Sequence, residues 1–187
     1  MKRKRRAAIY CAVLAALCVP GTTAQEDMRQ YEAKAKFLAI APGFVEWPET
    51  TFKTAGAPLQ MCVHGDFSFG TKLAELTRSA TVKGHRIDVK WAHKEEELPA
   101  CQIVFVSRSA AKRYDKVVEA VKDSIALTVG EDTDFFQAGG MLSLQSERTS
   151  LLFDVNLDAV NNGHLKLSSQ LLSLARHIVH RTESAKK

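Results

Sequence analysis

Ile103-Val104-Phe105-Val106 is an unbroken apolar run, and a strand of that composition must be covered on both faces. Ser109 can cap the helix that follows, whose apolar face is Ala110, Tyr114, Val117, Val118 and Val121. Ile125 to Val129 reads as the next strand, so strand, helix and strand form a parallel unit. Upstream, Leu59 to Val63 reads as another buried strand and Phe69 to Leu76 as a short helix. Val82 to Trp91 contains Ile87, Val89 and Trp91 alternating with Asp88 and Lys90, the pattern of a half-exposed strand.

The flanks complete the layout. Met28, Tyr31, Ala35 and Leu38 recur at helical spacing, which predicts an amphipathic helix over 26–40 that Pro42-Gly43 ends or kinks. Phe44, Val45 and Trp47 then form an aromatic cluster stopped by Pro48. Met141 to Leu144 and Leu151 to Val155 predict an antiparallel hairpin across Glu147 to Ser150. A last helix starts at Ser168 or Ser169 and carries Leu171, Leu172, Ala175, Ile178 and Val179, before a polar tail. The expected fold is α/β: a mixed, largely parallel sheet flanked by helices, with a C-terminal antiparallel hairpin and a final helix.

Charge changes the reading of the first residues. Lys2, Arg3, Lys4, Arg5 and Arg6 precede an apolar run from Ala7 to Val19, then Pro20-Gly21 and Thr22-Thr23-Ala24. This is the pattern of a secretory signal peptide over residues 1–24, cleaved after Ala24. A membrane span needs roughly 20 apolar residues, more than this run supplies. A lipoprotein signal fits less well, because Leu17 before Cys18 is larger than the residue preferred there. Removing the five basic residues leaves 21 Lys and Arg against 21 Asp and Glu, a net charge of zero with His neutral. Nucleic-acid binding, which depends on neutralising phosphates, is not expected. Residues 25–187 make a single domain long enough to bury a core.

Cys62 and Cys101 are the cysteines left in the exported chain, so a structural disulfide is the expected state. A redox-active pair lacks the Cys-x-x-Cys spacing.

Catalytic signals are thin. His177 and His180 lie one turn apart on the last helix, but a solvated helix end explains them better than a metal site does. His64, His85, His93 and His164 are scattered. Asp66, Asp132, Asp134 and Asp154 could supply an acid and a base, although Asp66, Asp132 and Asp134 sit where caps and turns are common. Ser107, Ser109, Ser168 and Ser169 lack a Gly-x-Ser-x-Gly elbow. Gly139-Gly140 runs into the apolar Met141-Leu142 and makes no phosphate loop. No cofactor or metal is expected, and no enzyme activity. Phe44, Trp47, Phe67, Phe69, Phe135 and Phe136 are either core fillers or contact groups.

Several segments, in order, resemble the YfiR family, a domain-of-unknown-function family of exported regulators. They are Phe44-Val45-Glu46-Trp47-Pro48, Leu59 to Asp66, Cys101 to Val106, and Leu127-Thr128-Val129-Gly130. Gly139-Gly140-Met141, Phe153-Asp154-Val155-Asn156-Leu157 and Leu165 to Leu172 complete the set, which runs from about Tyr31 to Ala175. The resemblance implies a periplasmic regulator that represses an inner-membrane diguanylate cyclase by binding its periplasmic portion, lowering cyclic di-GMP and biofilm formation. It also implies an outer-membrane lipoprotein that sequesters the regulator. Better-known members carry a second cysteine pair in the C-terminal half, tied to redox control; this chain has no cysteine after Cys101. With a neutral surface, partner contact should rest on apolar anchors. The candidates are Phe44, Trp47, Leu165 and Leu171, each of which could equally be core. A homodimer stays open. The rival reading is a periplasmic small-molecule-binding sensor serving a histidine kinase or a transporter.

Overall fold

The structure, a computed structural model, describes residues 22–52, 54–66, 70–147 and 150–180. The basic cluster and apolar run of the expected signal peptide, and Phe67 and Phe69, lie outside the described residues. Helix α1 (Thr22–Ile40) stops ahead of Pro42, and the chain turns through a 3-10 segment, Ala41–Phe44. The indole of Trp47 donates to the Pro42 carbonyl at 3.0 Å and pins that turn. Strand β1 (Val45–Glu46) follows, then β2 (Leu59–His64), α2 (Gly70–Thr77), β3 (Thr81–Val82) and β4 (His85–Ala92). Next come β5 (Ile103–Val106), α3 (Tyr114–Val121), β6 (Leu127–Gly130) and α4 (Thr133–Gln137). The last third holds β7 (Leu142–Glu147), β8 (Ser150–Asn156), α5 (Leu157–Asn162), β9 (Lys166–Leu167), α6 (Ser169–Leu174) and β10 (His177–Val179).

Eight strands form one sheet in the order β10-β8-β7-β6-β5-β2-β4-β3, and β1 pairs with β9 in a separate antiparallel ribbon. Strands β4, β2, β5, β6 and β7 are parallel, with Met61 opposite both Val89 and Ile103, and Ile103 opposite Leu127. The expected hairpin is present as β7–β8, with Leu142 opposite Val155. All four residues of β5 and of β6 are buried, as continuous apolar runs require. One face packs under α1, α2, α5 and α6 through Leu38, Leu73, Val160 and Leu171. The other packs under α3 and α4 through Val117, Val121 and Phe135. Gly130 and Gly140 are needed here, because a Cβ on either would lie within 2.3 Å of the Phe135 ring.

Two expectations are corrected. The last helix ends at Leu174, and Ile178 and Val179 belong to β10, parallel to β8 with His177 opposite Asp154. His177 and His180 therefore share no helix face. Ser109 does not cap a helix either: it lies inside a 3-10 turn, Arg108–Arg113, that leads into α3. Of the two aspartates flanking Thr133, Asp132 is the cap and Asp134 lies in the first turn of α4, while the last helix starts where expected, with Ser168 as its cap. Asp132 accepts from Phe135 N at 3.0 Å and Ser168 from Leu171 N at 3.2 Å.

Candidate functional site at the carboxyl ends of the parallel strands

After β2 the chain leaves for α2 on one face, and after β5 for α3 on the other. The crevice between those two strand ends is a topological switch point, where open α/β sheets collect their functional groups. Gly65 turns the chain with φ of +104°, and a Cβ there would lie 2.3 Å from Ser107 Oγ. The amide of Asp66 donates to Ser107 Oγ at 3.0 Å and to Ser109 Oγ at 2.7 Å, and the two hydroxyls are themselves 2.7 Å apart. Both serines are thus engaged in fixing the β2 turn against the β5 turn.

Beside them lies a buried ion pair. Lys34 Nζ of α1 donates to Glu131 Oε1 at 2.6 Å, and the two side chains are 11% and 8% exposed. The other carboxylate oxygen accepts from Arg108 N at 2.7 Å. The Arg108 guanidinium reaches the Glu131 carbonyl and stands 3.6 Å from Asp132. Asp132 also accepts from the Tyr114 hydroxyl at 3.0 Å. Burial, together with that carboxylate, pushes the Tyr114 hydroxyl well above its ordinary pKa, so it stays a donor. The pair was not anticipated from sequence. Its signal was Lys34 falling among Tyr31, Ala35 and Leu38 on the apolar stripe of α1.

On the opposite face His64 Nδ1 lies 3.0 Å from the Ala92 carbonyl, which makes that nitrogen the protonated one. Its Nε2 is 3.8 Å from Glu95, and Glu95 is bonded to Arg113. Burial opposes the charge on Glu95, yet hydrogen bonds from its own backbone and from Arg113 hold its carboxyl below the usual range. Cys62 and Cys101 are joined in a disulfide, with Cα atoms 5.8 Å apart. At the far side of the sheet Asp154 accepts from Arg176 Nε at 3.0 Å and Nη2 at 2.6 Å, and pairs with His177 at 3.0 Å.

The proposed contact residues separate. Trp47, Leu165 and Leu171 are core side chains, and Phe44 is half-buried on the turn against which α6 packs. Leu174, at the end of α6, is 72% exposed. Among the described residues no group of His, Cys, Asp and Glu is arranged to hold a metal, and no helix is long and apolar enough to cross a membrane.

Residues 31–176 match the sequence model of the YfiR/HmsC-like domain. The chain belongs to the YfiR/HmsC-like family. At family level its members are periplasmic regulators of the diguanylate cyclase type. No curated protein matches the chain. Two solved structures share the fold of this YfiR/HmsC-like chain. One is a conserved domain protein from Vibrio cholerae O1 biovar El Tor, at 12% identity and a TM-score of 0.52. The other is an ABC domain from Streptococcus pneumonia in complex with L-Trp, at 10% identity and the same TM-score. Each alignment covers 80% of this chain, which spans 60% of the length of either protein. At such identities the likeness is one of fold.

Proposed function

We propose that this YfiR/HmsC-like protein is an exported regulator that represses an inner-membrane diguanylate cyclase by binding the cyclase's periplasmic portion. Repression lowers cyclic di-GMP and with it biofilm formation, and an outer-membrane lipoprotein relieves it by sequestering the regulator. The observation that carries this reading is the family match across residues 31–176. The protein acts as a binding module and not as an enzyme, with residues 1–24 serving as a cleaved export signal. The serines and carboxylates at the strand ends, engaged with one another as described, suit a scaffold better than a catalyst.

We place the contact surface at Phe44 and Leu174, since α6, which ends at Leu174, packs on the turn that carries Phe44, while Trp47, Leu165 and Leu171 are core. Deleting the gene should raise cellular cyclic di-GMP, and restoring the exported protein should lower it again. Leu174→Asp should abolish that restoration while leaving the melting temperature unchanged. Unchanged cyclic di-GMP in the deletion strain, with the cyclase expressed, overturns the reading.

A further inference from the structure

A concavity lies at the other end of the strands, lined by none of the residues of the carboxyl-end site. It is a cleft of about 1020 Å³ between the C-terminal ends of α3 and α4 and helix α5. Its floor is apolar: Val118, Val121, Phe136 and Met141. Gly163 brings the backbone close to that floor, and a Cβ there would lie 2.3 Å from the Met141 methyl. The walls carry hydrogen-bonding groups with capacity to spare. Among the described residues the side chains of Gln137, Asn161 and Asn162 bond to no other protein group. Asn156 uses its carbonyl on Ala159 N at 3.1 Å and keeps its NH₂. Thr128 Oγ1 accepts from Met141 N at 3.0 Å and keeps its hydroxyl hydrogen. Lys122 and Asp158 are the charged residues of the lining, one of each sign, and Lys122 is already held by Glu119.

The geometry points to a binding site for a neutral saccharide. Amides donate and accept side by side, which matches ring hydroxyls and N-acetyl groups, and the apolar floor suits the C–H face of a sugar ring. A strongly charged ligand finds no net counter-charge, since the lining carries one Lys and one Asp, and a purely apolar one would strip water from the amides without replacing it. An extended peptide fits less well, because these amides stand on helices and offer no strand-like ladder. The volume is at the upper end of the range of small-molecule sites, about 300–1,000 Å³. This site is independent of the cyclase and of the surface around Phe44.

The test is titration of the ¹⁵N-labelled exported protein with chitotriose and, separately, maltotriose, followed by amide shifts. Saturable shifts confined to Gly139, Asn161 and Gly163 and their neighbours support the site. A response to chitotriose alone assigns it to N-acetylated sugars, and a response to both assigns it to neutral sugars in general. Gln137→Ala and Asn161→Ala, both at exposed positions, should each weaken binding by about three- to tenfold with no change in melting temperature. No saturable shift from either sugar, binding insensitive to both variants, or capture of an uncharged tripeptide in place of the sugars overturns the proposal.

Discussion

The two ends of the parallel strands use polar side chains in opposite ways. At the carboxyl ends Lys34, Glu131, Arg108, Asp132 and Tyr114 are bonded to one another across four segments of the chain, and Ser107 and Ser109 close the β2 turn. At the amino ends Gln137, Asn161 and Asn162 line open space and bond to no protein partner among the described residues. The end where this architecture usually holds a ligand is here occupied with holding itself together. Buried polar groups that satisfy each other specify structure, whereas polar groups with unused capacity beside an apolar floor invite a ligand. Fold likeness to a tryptophan-bound domain therefore says nothing about what this chain binds.

The contrast breaks most sharply at Lys34. Lys34→Met leaves Glu131 charged and buried, and should cost about 3–5 kcal/mol in urea unfolding. Replacing both Lys34 and Glu131 by apolar residues should recover most of that loss. A single-variant cost below about 1 kcal/mol would place the pair with ordinary surface salt bridges. The disulfide comes next. Replacing Cys62 and Cys101 together by Ser should remove about 4 kcal/mol by releasing the loop between them, with repression retained.

Asp154 should show a smaller effect with a pH signature. Burial raises its carboxyl pKa, but hydrogen bonds from Arg176 and His177 more than offset this and leave it below the ordinary value. The folded state thus binds this proton less readily than the unfolded chain does. Its contribution is present above the unfolded value of about 4 and is lost as pH falls through the lower folded value. Asp154→Asn should cost about 1–2 kcal/mol at neutral pH and flatten the acid limb of the stability curve. Smallest of all, Gln137→Ala and Asn161→Ala should stay within about 0.5 kcal/mol of the parent. A larger loss from either would mean that the amino-end amides are structural after all.

The buried central strands were legible in the sequence, because Leu59 to Val63, Ile103 to Val106 and Ile125 to Val129 hold no polar residue beyond Gln60 and Thr128, although the last begins two residues later than expected. The end of α6 was not. Leu171, Leu172, Ala175, Ile178 and Val179 keep helical spacing, yet Ala175 turns to φ −67° and ψ 137°. Arg176 N bonds to the Phe153 carbonyl at 2.8 Å, and its guanidinium is held by Asp154. Those contacts reach back more than twenty residues, so local periodicity carries no trace of them. The carboxyl-end site was half legible. Asp132 read correctly as a cap, and Gly65-Asp66 as a turn after a strand. Lys34 with Glu131 was invisible, since neither residue type nor spacing announces a partner 97 positions away. Nor did the amino-end cleft announce itself, because Gln137 and Asn161 come together only when α4 and α5 are brought to one end of the sheet.

That separation of 97 residues has a kinetic consequence. Helix α1 also rests Phe37 against Phe153, with ring centroids 5.0 Å apart, so these two anchors arrive late in the chain, whereas its packing on α2 does not. Closing loops of such length is entropically slow compared with forming the β2-α2-β4 neighbourhood or the β7–β8 hairpin. The contacts of α1 with Glu131 and Phe153 therefore form after its packing on α2. Lys34 variants should speed unfolding while leaving the refolding rate almost untouched.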